Sequence, residues 1–398
     1  VEDRGPWPSG GAPLPASGAW GPGDDPGDRR FLTLDPRRTF ALEFGGSLRD
    51  VTIAYETWGR LDDEGGNAVL VCHALTGDAH AARGGAPGAG DAGWWDGIIG
   101  PGRALDTDRY FVVCANALGG CQGSTGPASI PPDGGSPYGP RFPVVTVRDM
   151  VRAQRSLADH LGVAAWRSVV GGSMGGMQAL EWAVMFPQRV RSVVPIATAA
   201  AASAQQIGYS RVGRLAVALD PGWQGGDYYG ALDGAGPHRG LGVARELAQI
   251  TYRTADVYDE RFGRTTRDPL DDVVDLWQRF EVEAYLDYHA VKLARRFDAN
   301  SYLVLNKAMD LHDLARGRGG LTRAVARLRA PVMTTSITSD ALYPPSQQED
   351  LHEAIRSVGV PARFAEIDSP HGHDAFLLED EQVGDLVASF LREVPGHG

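Results

Sequence analysis

The sequence predicts an α/β fold: a mostly parallel sheet with helices on both faces, interrupted by an inserted helical lid. Three observations predict it. Short β-branched runs alternate with longer helical segments, the rhythm of strands joined by helical crossovers. Several of those runs are apolar at every position, as strands buried on both faces must be. Between about Ala200 and Arg323 the strand signal disappears and only helical periodicity remains.

Taken in order, Val51-Thr52-Ile53-Ala54-Tyr55 alternates like a half-exposed early strand. Ala68 to Cys72 and Tyr110 to Cys114 read as central strands. Thr146 with Asp149 three residues on opens a helix, and Gly162 closes it. Ser168 to Gly171 is a further strand, followed by a helix from Met174 to about Phe186 that stops before Pro187. Val193 to Ile196, Pro331 to Thr335 and Ala362 to Ile367 complete the strands, and a helix from Ala375 to about Arg392 ends the fold. The division is therefore a core of 31–199 and 323–398 with a lid of 200–322. Residues 1–30, rich in Gly and Pro and lacking the charged-then-apolar order of a signal peptide, are expected to be a disordered tail.

Composition narrows the function classes. The 398 residues carry a net charge of −12, which argues against a nucleic-acid or anionic-membrane partner. The chain has no segment with the ~18 uninterrupted apolar residues of a membrane span. Three cysteines, Cys72, Cys114 and Cys121, make no disulfide framework and no CxxC zinc spacing, so a reducing cytoplasm is expected.

The sharpest motif is Gly171-Gly172-Ser173-Met174-Gly175-Gly176, a G-x-S-x-G between an expected strand and an expected helix. Such a turn lifts Ser173 Oγ out of the sheet and sets the Met174 N–H at a helix N-terminus, where it can stabilise an oxyanion. The bland alternative is a Gly-rich turn that binds phosphate. A serine nucleophile needs an acid and a base, in the chain order Ser, Asp or Glu, His. Ser339-Asp340 and Ser369-Pro370-His371-Gly372-His373-Asp374 both lie past strand ends, where such sheets place their sites. Spacing leaves His371 and His373 open as the base. The second oxyanion donor is expected in His73-Ala74-Leu75-Thr76-Gly77-Asp78-Ala79-His80. A metal reading of His73 and His80 fails because the nearby carboxylates do not complete a ligand set.

These stretches resemble the homoserine O-acetyltransferase family, acyltransferases of the α/β-hydrolase fold in methionine biosynthesis. The likeness runs through CHALTGDA (72–79), NALGGCQGSTGP (116–127), FPVVTVRDMVRAQ (142–154), GGSMGGMQALEW (171–182), GLGVARELAQITY (240–252), FDANSY (297–302) and GHDAFL (372–377). The resemblance implies Ser173 as nucleophile, Asp340 as triad acid and His373, not His371, as base. It implies an oxyanion hole from the N–H groups of Leu75 and Met174. It also implies Arg245 and Tyr252 holding an amino-acid carboxylate, and Asp374 its ammonium group. A guanidinium fork suits a carboxylate. The plain readings are helix packing for Arg245 and Tyr252, two turns apart, and a helix cap for Asp374.

Arg214 is a weaker second candidate for the anion site. The implied reaction takes acetyl-CoA and L-homoserine as substrates, with no cofactor and no metal, in a homodimer joined through the lid helices. A succinyl donor, a serine acceptor, a plain esterase and a non-catalytic binding module remain as alternatives.

Overall fold

The computed structural model describes residues 12–83, 92–267 and 279–394. Its centre is an eight-stranded sheet. The strands are β1 (Arg30–Thr33), β2 (Thr52–Trp58), β3 (Ala68–Cys72), β4 (Phe111–Ala115), β5 (Ser168–Gly172), β6 (Val193–Ile196), β7 (Val332–Ile337) and β8 (Ala362–Ile367). They lie in the order β1-β2-β4-β3-β5-β6-β7-β8. β1 and β2 are the antiparallel members, and every pairing from β4 to β8 is parallel. The strands β3, β4, β5, β6 and β7 are buried at every residue, which accounts for their largely apolar composition, although β7 also buries Thr334, Thr335 and Ser336.

Helices α1 (Val147–His160), α2 (Met174–Met185), α9 (Pro345–Ser357) and α10 (Asp380–Glu393) cover this sheet. α1 starts as the sequence indicates: Thr146 accepts from the Asp149 N–H while Asp149 bonds back to Thr146. α2 carries no polar face because it is buried along almost its whole length. Its second residue explains why. A Cβ on Gly175 would lie 2.0 Å from the Cys72 carbonyl oxygen, so α2 and the end of β3 touch backbone to backbone.

Between β6 and β7 the chain leaves the sheet as α3 (Ala204–Leu219), α4 (His238–Tyr252), α5 (Ala255–Phe262), α6 (Glu281–Arg296) and α7 (Ala299–Asp310), then returns through the short α8 (Leu321–Val325). α4 packs between α3 and α6. The helices are pinned to the core at chosen points. Gln206 Nε2 donates to the Leu342 carbonyl (2.7 Å) and Thr254 Oγ1 to the Pro370 carbonyl (2.7 Å), both in loops at the C-terminal edge of the sheet.

Two sequence expectations need correction. Residues 12–30 are not a loose tail. Gly18 N–H donates to the Phe297 carbonyl (3.3 Å) and Trp20 N–H to that of Cys121 (2.9 Å). Ser17 Oγ donates to Asp298 (2.7 Å), and Trp20 stacks on Phe31 at 4.9 Å. Polar backbone groups and one tryptophan order this strap without an apolar run that sequence patterning could detect. The rest of the expected tail, 1–11, lies outside the described residues.

The second correction concerns the last helix. It begins at Asp380 and not at Ala375, because Gly372–Leu377 forms a tight 3-10 turn. The Phe376 carbonyl, which a continuing helix would use, accepts instead from Trp95 Nε1 (2.9 Å). Asp380 and Glu381 then open α10 with the charge its N-terminus favours.

Gly175→Ala should destabilise the fold by roughly 3 kcal/mol, since neither backbone can yield to the added methyl. Urea unfolding monitored by tryptophan fluorescence measures this. An unchanged midpoint would contradict the close approach of α2 to β3.

Candidate active site

Ser173 sits at the join of β5 and α2 with φ 57° and ψ −121°, a conformation rare for a residue with a side chain. It is held there from behind: its N–H donates to the Ile196 carbonyl of β6 (2.9 Å). Gly172 must precede it, because a Cβ there would fall 2.4 Å from the ring of Phe376. The strained turn holds the serine at the mouth of the sheet and starts α2 at Met174, whose N–H belongs to the unpaired first turn of the helix.

Asp340 follows β7 in a loop. One carboxylate oxygen accepts from the N–H groups of Leu342 and Tyr343, each at 2.8 Å. The other meets His373 Nδ1 at 2.7 Å. That pairing puts the ring proton on Nδ1 and leaves Nε2 as the basic nitrogen. Both residues are buried. The His373 ring is packed by Tyr343 (centroids 5.0 Å apart, nearly parallel) and by Phe376 and Tyr252, each at 5.5 Å. Ser339 ties the two loops, donating to the Ser369 carbonyl (2.6 Å) and accepting from the Gly372 N–H (2.9 Å). His371 does not reach Asp340. Its N–H donates to Ser369 Oγ (3.1 Å), and its Nδ1 is buried without a partner among the described residues.

Leu75 lies in the turn after β3, closed by the Gly77 N–H on the Ala74 carbonyl (3.0 Å). His73 is the anchor of this turn. Its Nδ1 meets the Ala74 carbonyl (2.7 Å) and its Nε2 accepts from the Ala117 N–H (2.9 Å). Burial pushes its pKa down, which keeps the ring neutral with the proton on Nδ1. His80 Nδ1 instead pairs with Glu56 at 2.9 Å. Among the described residues no cluster of three or more His, Cys, Asp or Glu side chains is placed to hold a metal ion.

Ser173, Leu75 and His373 open onto one cavity of about 160 Å³, together with Arg245, Tyr252 and Asp374. The structure therefore brings together the residues expected from the sequence to be nucleophile, base, oxyanion turn and charged contacts, with Met174 beside Ser173 and Asp340 behind His373. A larger cavity of about 790 Å³, between the N-terminal strap and α4 and α6, contains none of them.

The charged groups of the small cavity are individually braced. Arg245 donates through Nε (3.2 Å) and Nη2 (2.6 Å) to the Gln249 amide oxygen, while the Gln249 amide nitrogen donates to the Tyr285 hydroxyl (2.8 Å). Asp374 lies 3.2 Å from Arg253. It sits inside the 3-10 turn, so it caps no helix. Burial pushes the Tyr252 hydroxyl up to about 12, leaving it a neutral donor at physiological pH. Arg214 is engaged elsewhere, 2.6 Å from both Asn306 and Asp310, and takes no part in the cavity wall.

Sequence reasoning missed four neighbours. Tyr343 and Phe376 pack the base, Arg253 balances Asp374, and Arg296 lines the cavity. Each adjoins a stretch already singled out: Tyr343 lies three residues after Asp340, Arg253 follows Tyr252, Arg296 precedes FDANSY, and Phe376 is in GHDAFL. Proximity in sequence was the available signal.

The arrangement matches known proteins over nearly its full length. The alpha/beta hydrolase fold family matches residues 67–380. A homoserine O-acetyltransferase of Thermobifida fusca is 53% identical over 381 residues, covering 96% of this chain and 98% of that protein. The crystal structure of a homoserine O-acetyltransferase from Bacillus anthracis superposes with a TM-score of 0.85 at 29% identity, covering 93% of this chain and 99% of that one. A crystallised esterase reaches a TM-score of 0.82 at 28% identity, covering 91% of this chain and 99% of that one. Sharing more than half its aligned residues with the first of these, the chain belongs to the homoserine O-acetyltransferase family of the α/β-hydrolase fold.

Proposed function

We propose that this protein transfers the acetyl group of acetyl-CoA to the hydroxyl of L-homoserine, in the service of methionine biosynthesis, by a ping-pong mechanism that needs no cofactor. The observation that carries the reading is one small cavity holding the serine and histidine of a triad beside a guanidinium and a carboxylate. A zwitterionic amino acid with a side-chain hydroxyl complements that set of charges.

In the first half-reaction Ser173 Oγ attacks the thioester carbonyl and gives its proton to His373 Nε2. Asp340, already oriented by two backbone N–H groups, stabilises the imidazolium. The carbonyl oxygen becomes an oxyanion that the Leu75 and Met174 N–H groups receive. The C–S bond then breaks, the departing sulfur takes the proton from His373, and acetyl-Ser173 remains. In the second half-reaction Arg245 and Tyr252 hold the homoserine carboxylate and Asp374 its ammonium group. The hydroxyl gives its proton to His373 and attacks the acetyl carbonyl. Collapse returns the proton to Ser173 and releases O-acetyl-L-homoserine.

Nothing in the triad itself prefers an alcohol to water. The neighbouring esterase structure makes hydrolysis the rival reading. The paired Arg245 and Asp374 favour transfer, because they raise the effective concentration of one alcohol at the acyl carbon.

The three cysteines are buried and unpaired, which supports a cytoplasmic setting. No helix of the described residues is long and apolar enough to cross a membrane. The lid also carries apolar residues that face outward. Val212, Leu215 and Leu219 share one face of α3, and Val243 and Ile250 one face of α4. A second copy of the chain is the occupant proposed for these stripes, giving a homodimer through the lid.

Three experiments test these proposals. Incubation with acetyl-CoA alone should add one acetyl group to the wild type and none to Ser173→Ala, whose kcat should fall roughly 10⁶-fold. An adduct persisting in the variant would remove Ser173 as nucleophile. Arg245→Ala should keep the single-turnover burst of thiol while losing on the order of 2–5 kcal/mol of acceptor recognition. That corresponds to roughly 30- to several-thousand-fold in kcat/KM for homoserine. Loss of the burst, or unimpaired transfer, would show that Arg245 is not the carboxylate anchor. Light scattering should give the wild type twice its 42.5 kDa chain mass and Leu219→Asp/Ile250→Asp the single mass. A monomeric wild type ends the dimer proposal.

A further inference from the structure

We propose that Arg296 is a positioning residue, setting the oxyanion turn from the lid side. The inference rests on the reading of Ser173 as nucleophile and of the Leu75 N–H as an oxyanion donor. The turn from Ala74 to Gly77 is short, and its geometry depends on which of its peptide units are fixed. On the sheet side His73 holds the Ala74 carbonyl, which also receives the Gly77 N–H. On the lid side Arg296 Nη1 donates to the Thr76 carbonyl at 2.9 Å. The peptide unit between Thr76 and Gly77 is thus held at both ends, its N–H by Ala74 and its C=O by Arg296. The Leu75 N–H lies two peptide units earlier, in the unit whose Ala74 carbonyl His73 and Gly77 hold, so it is aimed by a turn clamped from two directions.

Arg296 is well suited to this task. It ends α6, and its own backbone is fixed by the core and the strap. Its carbonyl accepts from Gln122 Nε2 (2.6 Å), and the next carbonyl, that of Phe297, accepts from the Gly18 N–H (3.3 Å). A Cβ on Gly18 would lie 2.7 Å from the Arg296 nitrogen, so the strap presses directly on the helix end. No carboxylate lies within 4.0 Å of the Arg296 guanidinium among the described residues, so its hydrogen bond to the turn has no ion pair to compete with it. A cation donating to the Thr76 carbonyl also polarises that peptide unit, a charge-assisted bond stronger than a neutral one. The oxyanion turn is thereby coupled to the seating of the lid: if α6 shifts, the turn loses one of its two clamps.

The test compares Arg296→Met, which keeps bulk and loses the donor, with Arg296→Lys, which keeps a donor. At saturating acetyl-CoA, the rate of thiol release in a single turnover should fall roughly 10- to 100-fold in Arg296→Met. That is less than the full loss of an oxyanion donor would cost. It should recover most of the way in Arg296→Lys, with KM for acetyl-CoA and for homoserine within about twofold of wild type throughout. A trifluoromethyl ketone that forms a tetrahedral adduct on the serine should weaken by the same factor as the acylation rate. The proposal is overturned if the lysine variant is as slow as the methionine variant. It is equally overturned if the saturating rate is unchanged while a KM rises, which would make Arg296 a substrate contact, or if nothing changes. Failure of the underlying reading looks different: the wild type itself would then form no acetyl adduct.

Discussion

The constraint on which this structure depends is the turn that carries Ser173. A serine at φ 57° costs on the order of 1–3 kcal/mol relative to a relaxed residue, and it persists only where its surroundings leave no alternative. Here β6 takes its N–H, Phe376 occupies the space above Gly172, and the Cys72 carbonyl lies against Gly175. The turn thereby decides which residues can flank the serine. It decides how closely α2 approaches β3, and it places the first free N–H of the helix beside the hydroxyl. Because β3 ends at the same contact, the oxyanion turn that follows it is delivered to the same spot.

The remaining chemistry is assembled around that point by loops from one edge of the sheet and by helices above it. Asp340 is oriented by backbone N–H groups, so its bond to His373 does not depend on a mobile partner. The lid contributes Arg245 and Tyr252 from α4 and Arg296 from the end of α6. Each charge has a brace outside the cavity: Gln249 for Arg245, Arg253 for Asp374. The braces fix the direction of each charge in the empty cavity, the pre-orientation that the proposed preference for one alcohol over water requires. The lid thus roofs the cavity and supplies three of its polar lining residues.

How far this was legible in the sequence depends on whether the signal was local. The buried strands Ala68–Cys72 and Phe111–Ala115 announce themselves because strands covered on both faces are apolar throughout. Thr146 and Asp149 mark the start of α1 by a side-chain pattern that survives in the structure. Gly171 to Gly176 was legible because sterics leave few other residues possible. β1 was not, since Arg30–Thr33 is an exposed edge with no buried face to pattern it. The strap of 12–20 was missed for the same reason: its order comes from backbone hydrogen bonds to distant carbonyls. The choice of His373 over His371 could not be read from spacing, only from resemblance, because it depends on which way the 3-10 turn faces Asp340. Arg214 drew notice as a lid cation, and only the fold shows that Asp310 and Asn306 take it.

In the proposed reaction, charge complementarity in one small cavity, added to an ordinary serine triad, directs the acetyl group to an amino acid. The most direct measurement forms the acetyl-enzyme first and then offers it acceptors that each lack one charge. L-Homoserine, 3-amino-1-propanol without the carboxylate and 4-hydroxybutyrate without the ammonium should be compared with water by following decay of the acetyl adduct. Fast decay is expected with homoserine alone. Each truncated alcohol should be slower by on the order of a hundredfold, from the loss of one charged contact of about 2–3 kcal/mol. Equal decay with all three alcohols, or decay in water as fast as with homoserine, would contradict it.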